Sequence, residues 1–229
     1  MEAELSIIIP AWNEEAVIGK TLDSLCHAAA GRSDIEIVVS ISGDDRTEQI
    51  AGRFPVIVCR SEKGRSKQMN AGAARSSGRI LYFLHADTIP PSSFIDDIFT
   101  AVRNGGEAGC FQMEFDDPHW IMQLYGWFTQ FSLPVCRGGD QSLFITAELF
   151  RNIGGFNESM QIMEDIEIID RIQRHTSFHI LDNRVTTSAR KYQVNGMIRL
   201  QAIFGTIHLM YAFGCSQDDI RDFYRNSIS

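Results

Sequence analysis

Three polar clusters, each placed directly after an apolar run, carry most of the chemistry available to this 229-residue chain: Asn13-Glu14-Glu15, Ser42-Gly43-Asp44-Asp45 and His85-Ala86-Asp87. Asp87 offers hard oxygen ligands at a strand terminus. Such a carboxylate can hold a divalent cation, and the cation can bridge a diphosphate. An Asp that only caps the turn into Thr88-Ile89-Pro90 would occupy the same place. A fourth candidate, Glu164-Asp165, opens an amphipathic helix. A carboxylate there can take a proton from a hydroxyl, although acids in a first helical turn also complement the helix dipole. Taken singly, none of these clusters specifies a reaction.

The elements that must position them follow from periodicity. Leu5 to Pro10 and Ile35 to Ile41 are short, nearly continuous apolar runs, the pattern of parallel strands covered on both faces. Val56 to Cys59 and Arg79 to Leu84 read as two further strands, and helical segments lie between them at Ala16–Ala30, Glu48–Arg53 and Lys63–Ser77. This β-α-β-α-β-α-β rhythm predicts an α/β sheet with right-handed crossovers. Ligands in such sheets sit at the carboxyl ends of the strands, where all three polar clusters fall. Further along, the pattern predicts a helix over Ser93–Val102, a strand over Ala108–Phe115, an aromatic helix over Trp120–Phe131 and a strand over Leu143–Ile145. A helix start near Ala147, a Gly154-Gly155 turn, an amphipathic helix over Met163–Arg174, a strand over Phe178–Leu181 and a helical tail over Gly196–Tyr224 complete it.

Composition narrows the classes of function. Hydrophobic residues make up 44% and charged residues 22%, which excludes disordered, collagen-like and coiled-coil proteins. The formal charge of −8 supplies no general basic field, so nucleic acid is not an expected partner, whereas a small anion needs only a few local cations and backbone N–H groups. The five cysteines are scattered without a C-x-x-C pair and read as reduced thiols. The acidic MEAE opening lacks the order of a signal peptide, and the uncharged stretches Trp120–Cys136 and Leu200–Gln217 are too short for membrane spans, reading instead as buried or interfacial helices. The expected location is the cytoplasm, with peripheral contact at the inner face of the membrane as an alternative.

The segments SIIIPAWNEE, GRSKQMNAGAARSSGRILYFLHADT, GGDQSLF and GGFNESMQIMEDIE, in that order and spacing, resemble family-two glycosyltransferases of the GT-A fold. More narrowly they resemble the branch assigned to arsenosugar biosynthesis. The resemblance covers most of residues 5 to 225, and QMNAGA, LHADT and MEDIE are specific in combination. It implies a Rossmann-like, mostly parallel nucleotide-binding sheet flanked by helices, with a GT-A domain over 1–195 (a nucleotide-sugar half, 1–90, and an acceptor and catalytic half, 91–195) and a helical extension over 196–229. It further implies that Pro10, Asn13, Glu14 and Asp45 hold the nucleoside. Arg65, Gln68, Asn70 and Ala86 would approach the nucleotide-sugar, and Arg190, followed by Lys191, would neutralise the leaving diphosphate. Asp87 would hold Mg²⁺ or Mn²⁺, Asp140 and Gln141 would lie on the acceptor side, and Asp165, beside Glu164, would be the general base of an inverting transfer. Two departures stand out: Ser40 replaces an acid that relatives carry at the end of the second strand, and His85 replaces the first acid of D-x-D.

The implied activity is transfer of a sugar from a nucleotide diphosphate-sugar to a hydroxyl of a small-molecule or lipid-linked acceptor. The alternative is a degenerate, non-catalytic nucleotide-binding module. A sugar nucleotidyltransferase would carry a glycine-rich, cationic loop where this chain has AWNEE, and a dehydrogenase or methyltransferase would carry G-x-G-x-x-G after the first strand, which is absent. The uncharged aromatic and C-terminal helices suit a membrane surface or a homodimer interface.

Overall fold

The computed structural model describes residues 3–133 and 136–228. Met1 and Glu2 of the MEAE opening, Pro134 and Val135 of the uncharged Trp120–Cys136 stretch, and Ser229 lie outside the described residues. The first half alternates as the periodicity predicts: β1 (Leu5–Trp12), α1 (Ile18–Ala28), β2 (Ile35–Ser42), α2 (Thr47–Ala51), β3 (Ile57–Arg60), α3 (Arg65–Arg75) and β4 (Ile80–Phe83). Then come β5 (Thr88–Ile89), α4 (Phe94–Arg103), β6 (Ala108–Phe115), α5 (Trp120–Phe128), a 3-10 turn at Gly139–Gln141, β7 (Leu143–Thr146) and α6 (Ala147–Asn152). The chain ends with α7 (Glu164–Gln173), β8 (Phe178–Thr187), α8 (Arg190–Asn195), α9 (Met197–Ala212) and α10 (Gln217–Ser227).

One mixed sheet runs in the order β3-β2-β1-β4-β7-β6-β8-β5. Strands β1 to β4 are parallel, with Leu5 opposite Ile35 and Trp12 opposite Ser42. Strand β7 is antiparallel to both β4 and β6, which turns the second half of the sheet around. Alternation along β1 explains the two-sided core. Leu5, Ile7 and Ile9 meet Ile18, Leu22 and Leu25 of α1 and Phe94 and Ile98 of α4, while Ile8 faces Met69 of α3 on the other side. Each such side chain, when fully buried, contributes about 1.5–3 kcal/mol. Helix α3 sits close because Gly72 leaves room: a Cβ there would stand 2.4 Å from Ile8 Cγ2.

Three elements differ from the periodic reading, each for a local reason. The aromatic helix stops at Phe128 because the Thr129 hydroxyl donates to the Gly126 carbonyl (2.7 Å) and accepts from the Met113 amide (2.9 Å). Strand β8 continues through the largely polar stretch Asp182–Thr187, which hydrophobicity hides but whose Arg184–Thr187 pair with Gln112–Phe115 beyond an irregularity at Phe111/Gln112. The two-residue β5 is too short for any periodic signal and is held by pairing with Thr186 and Thr187. From Arg190 onward the chain is three helices, two of them, α9 and α10, in the expected tail. The boundary expected at 195/196 falls between α8 and α9, and the α9–α10 pair packs Ile203, Ile207 and Ile220 against Ile162 and Met163, immediately before Glu164. Among the described residues no helix is long and apolar enough to cross a membrane, and all five cysteines are free.

Candidate active site

The polar clusters converge where the parallel topology requires, at the carboxyl ends of β1, β2 and β4. On the β1/β2 rim, hydrogen bonds within the chain take up most of the side chains. Asn13 adopts a left-handed backbone (φ 55°), and its Oδ1 accepts from the Asp44 amide at 3.3 Å. Asp45 accepts from the Thr47 and Glu15 amides, both at 3.0 Å, and these bonds overcome burial to hold its carboxyl below the ordinary value. Gln68, 3% exposed, donates to the carbonyls of Ala11 (2.7 Å) and Ser40 (3.1 Å) and so ties β1 to β2. Pro10 pairs with Ser40 in the same register, and Ser40 is completely buried with its hydroxyl on Ser61. The amide of Asn70 is engaged by the 155–158 turn: Nδ2 donates to the Phe156 carbonyl and Glu158, and Oδ1 accepts from the Phe156 amide. Beside them stands Trp12, 46% exposed, with the Lys63 ammonium 3.6 Å from its ring centroid. Its position, a tryptophan at the end of an apolar strand next to Asn13, was the signal available in the sequence.

The opposite rim holds charges that face one another. His85, at the end of β4, bonds Asp140 on the 3-10 turn through Nδ1 at 2.8 Å. Burial works against the Asp140 charge, but His85, Lys191 and Arg65 outweigh it and hold the carboxyl well below the ordinary value. The turn is anchored from beneath. Gln141, 2% exposed, donates to the Thr129 carbonyl, and the buried Arg137 donates to the carbonyls of Thr129 and Phe131 and to Cys110 Sγ. Gly139 allows the turn to touch Asp165: a Cβ there would lie 2.2 Å from Asp165 Oδ2 and 2.8 Å from His85 Cε1.

Glu164 and Asp165 open α7 after Met163, whose backbone is left-handed (φ 70°). The helix N-terminus favours negative charge by only about 0.3–1 kcal/mol. Burial, together with the neighbouring Glu164 carboxylate, outweighs it and raises the Asp165 pKa from 3.8 to about 6, against the opposing pull of Arg65 and His85. Met69, Phe83, Ile168 and Ile169 line a small cavity beside Asp165 and supply that apolar setting. Arg65, the first residue of α3, places Nη1 at 2.9 Å from Glu164 Oε1 and 3.8 Å from Asp165 Oδ2.

Between the rims lie Glu14 and Asp87. Burial first and Asp87 second raise the Glu14 pKa, while Arg190, Lys191 and His85 oppose them. The basic pair at the start of α8 therefore reaches the same charge field as the strand ends. The carbonyl of Ala86 accepts from the Thr21 hydroxyl, and no hydrogen bond or ion pair engages the Asp87 side chain among the described residues. Nor do any three His, Cys, Asp or Glu side chains among them form a ready-made metal cage. A single unengaged carboxylate still suits Mg²⁺ or Mn²⁺. Ions of this type commonly bind through one or two carboxylates together with substrate phosphates and water.

The family model for Glycosyl transferase family 2 matches residues 6–157. The chain belongs to glycosyl transferase family 2. Within the family, it is 24% identical over 213 residues to the Bacillus subtilis (strain 168) protein named Probable glycosyltransferase YdaM, covering 77% of this chain and 48% of that protein. The chain thus spans about half the length of that relative. The fold is shared with S. aureus TarS 1-349 in complex with UDP-GlcNAc (TM-score 0.69, 16% identity, 88% of this chain and 66% of that one). It is also shared with the mannosyltransferase PcManGT from Pyrobaculum calidifontis in complex with GDP-Man and Mn²⁺ (TM-score 0.69, 15% identity, 92% and 63%).

Proposed function

We propose that this family-two member transfers a sugar from a nucleoside diphosphate-sugar to an acceptor hydroxyl, with inversion and with Asp165 as general base. The observation that carries the reading is the setting of Asp165: a carboxylate 18% exposed, next to the buried Glu164 and 3.8 Å from Arg65, whose pKa burial and Glu164 push up to about 6. A base with that pKa is ionised at neutral pH yet basic enough to accept a proton. The acceptor O–H proton passes to an Asp165 carboxylate oxygen as the acceptor oxygen attacks the anomeric carbon. The bond from that carbon to the diphosphate oxygen breaks on the opposite face, and its electron pair leaves with the nucleoside diphosphate. Arg190 and Lys191 stabilise the charge that grows there. Asp87 would hold Mg²⁺ or Mn²⁺, which when bound adds positive charge at the diphosphate. Pro10, Asn13 and Glu14 line the nucleoside side, Asp45 and Gln68 fix its walls, and Asn70 and Gln141 brace the loops behind the two rims.

The acceptor hydroxyl belongs to a small molecule or a lipid carrier, and the arsenosugar branch makes an arsenic-containing sugar precursor one compound to assay. The exposed Trp120, Trp127, Phe128 and Phe131 of α5 and its extension are the surface for a peripheral contact at the inner face of the membrane or for a homodimer. Vesicle flotation and sedimentation separate these two uses.

The reading is tested by thermal-shift or calorimetric titration with UDP, GDP, CDP and TDP, each with Mn²⁺ and with EDTA, because a ligand of the native state raises apparent stability by mass action. Metal-dependent stabilisation by one nucleotide is the expected result. No response from folded protein would shift the reading to the non-catalytic module.

A further inference from the structure

We propose that Arg65 is a positioning residue for the general base, holding Asp165 in place and in its charged form while paired to Glu164, instead of gripping the donor phosphates. The inference rests on the reading of Asp165 as base. It begins from two helix starts that meet: Arg65 is the first residue of α3 and Glu164, 99 residues on, is the first residue of α7. The Glu164 side chain is only 4% exposed, and among the described residues the Arg65 guanidinium at 2.9 Å is its sole hydrogen-bond or ion-pair partner. Removing the guanidinium would leave a buried carboxylate unpaired next to a second one, an arrangement that costs far more than an exposed pair contributes.

The charged and titratable groups that face Asp165 are few. Glu164 comes from its own helix, Arg65 from α3, His85 from the end of β4 and Asp140 from the 3-10 turn, while Tyr224 of α10 faces Arg65. Two are anionic, and Arg65 is the one cation among them that stays charged at every working pH. Burial disfavours its charge, but Glu164, Asp165 and Asp140 outweigh that penalty and push its pKa above the ordinary arginine value. An opposite charge at this separation holds a carboxylate pKa down by about 1–3 units. The Arg65 side chain is 44% exposed and its other guanidinium nitrogens are unengaged among the described residues, so a phosphate contact is the rival that the experiment must separate.

The experiment follows the Asp165 carboxyl carbon by ¹³C NMR through a pH titration, without substrate, in the wild type, Arg65→Met and Arg65→Lys. Donor-side affinity is measured in parallel by calorimetry with the nucleoside diphosphate that the wild type binds. The positioning role predicts that the Asp165 midpoint rises by about one unit in Arg65→Met and stays near wild type in Arg65→Lys, while nucleotide affinity changes by less than about threefold. An unmoved midpoint overturns the inference, and a loss of nucleotide affinity of about tenfold with an unmoved midpoint assigns Arg65 to the phosphates. Glu164→Gln and Arg65→Met/Glu164→Gln remove the buried Glu164 charge that Arg65→Met alone would leave unpaired, so they keep the test alive if Arg65→Met does not fold. The midpoint must then be higher in the double variant than in Glu164→Gln. Because the titration needs no turnover, it decides the role of Arg65 even if the wild type transfers no sugar, an outcome that would instead count against the proposed function.

Discussion

Along the rim formed by β1, β2 and the body of α3, polar side chains close their hydrogen bonds on backbone. Asp45 takes two amides, Gln68 gives to two carbonyls, and Asn13 caps the 43–44 turn. Along the rim formed by the 138–142 turn and the start of α7, charged side chains face other charged side chains: Arg65 meets Glu164 and Asp165, and His85 meets Asp140. The first rim is a largely satisfied scaffold, with the buried hydroxyls of Ser42 and Ser66 as the exceptions. The second is electrostatically loaded, since one of its carboxylates is raised and another lowered within a few ångströms of the same histidine. Pairs of titratable groups whose surroundings push their pKa values apart are the usual source of acid and base assignments. The difference teaches where to look for chemistry: a strand-end acid bonded to amides builds shape, and a buried acid beside another acid is available to react.

The largest expected effect comes from Asp165→Asn. Removing a general base lowers turnover by about 10²–10⁴-fold, while nucleotide affinity should remain within a few-fold because the opposite rim is untouched. The same substitution should stabilise the fold. The folded pKa of Asp165 lies above its unfolded value of 3.8, so the ionised side chain costs stability increasingly as pH rises from about 4 to 6 and by a constant amount above that. At neutral pH the gain is about 1–3 kcal/mol, read as a higher Tm that vanishes below pH 4. Wild-type turnover should fall as pH drops through about 6, when Asp165 takes up its proton. A variant that keeps full activity, or melts earlier than the wild type at pH 7, would erase the distinction between the rims.

Much of the frame is legible in the sequence because burial writes itself into apolar runs. Strands β1, β2 and β4 and helices α1, α3 and α7 each lie within a few residues of where periodicity puts them, and their order already brings the polar clusters to one edge. What periodicity does not carry is which partner each polar side chain chooses. Gln68 and Arg65 lie three residues apart on one helix, yet the first is sealed over Ser40 and Ala11 while the second reaches a carboxylate 99 residues away. The anchoring of the Asp140 turn by Arg137 is invisible too, since a buried arginine bonded to two carbonyls and a thiol leaves no pattern in spacing. Nor does hydrophobicity show that the C-terminal helices close on the segment before Glu164-Asp165. The Gln217 side chain accepts from the Gln161 and Ile162 amides just before Met163 turns left-handed, and a polar side chain bonded to backbone has no periodic signature.

The scaffold rim predicts the reverse of the Asp165 result at Gln68. Gln68→Ala removes a buried amide together with the hydrogen bonds it gives to the carbonyls of Ala11 and Ser40, a loss of about 2–3 kcal/mol. Chemical denaturation should show the lower midpoint with an unchanged slope. Turnover under conditions where the variant is folded should stay near wild type. If Gln68→Ala instead removes activity without loss of stability, the β1/β2 rim contacts the donor directly.

The smallest effect belongs to Asp45→Asn, and it is the sharpest probe of the comparison because the family resemblance makes Asp45 a nucleoside contact. An asparagine retains one acceptor oxygen and leaves either the Glu15 or the Thr47 amide unanswered. Its cost should be about 0.5–1 kcal/mol, at the lower end for loss of a capping carboxylate. The sign with pH is opposite to that of Asp165. The folded carboxyl sits below its ordinary value of 3.8, so its stabilisation is present above that pH and is lost as pH falls through the lowered folded value. The Tm difference between wild type and Asp45→Asn should therefore be visible at pH 7 and disappear in acid. Nucleotide affinity should change by less than about threefold, since both oxygens already hold amides and only the shape of the 43–47 turn is left to transmit an effect. If affinity falls by more than about tenfold while Tm is unmoved, Asp45 gives up its amides to the ligand, and the β1/β2 rim is no fixed scaffold but a recognition surface that rearranges when the donor binds.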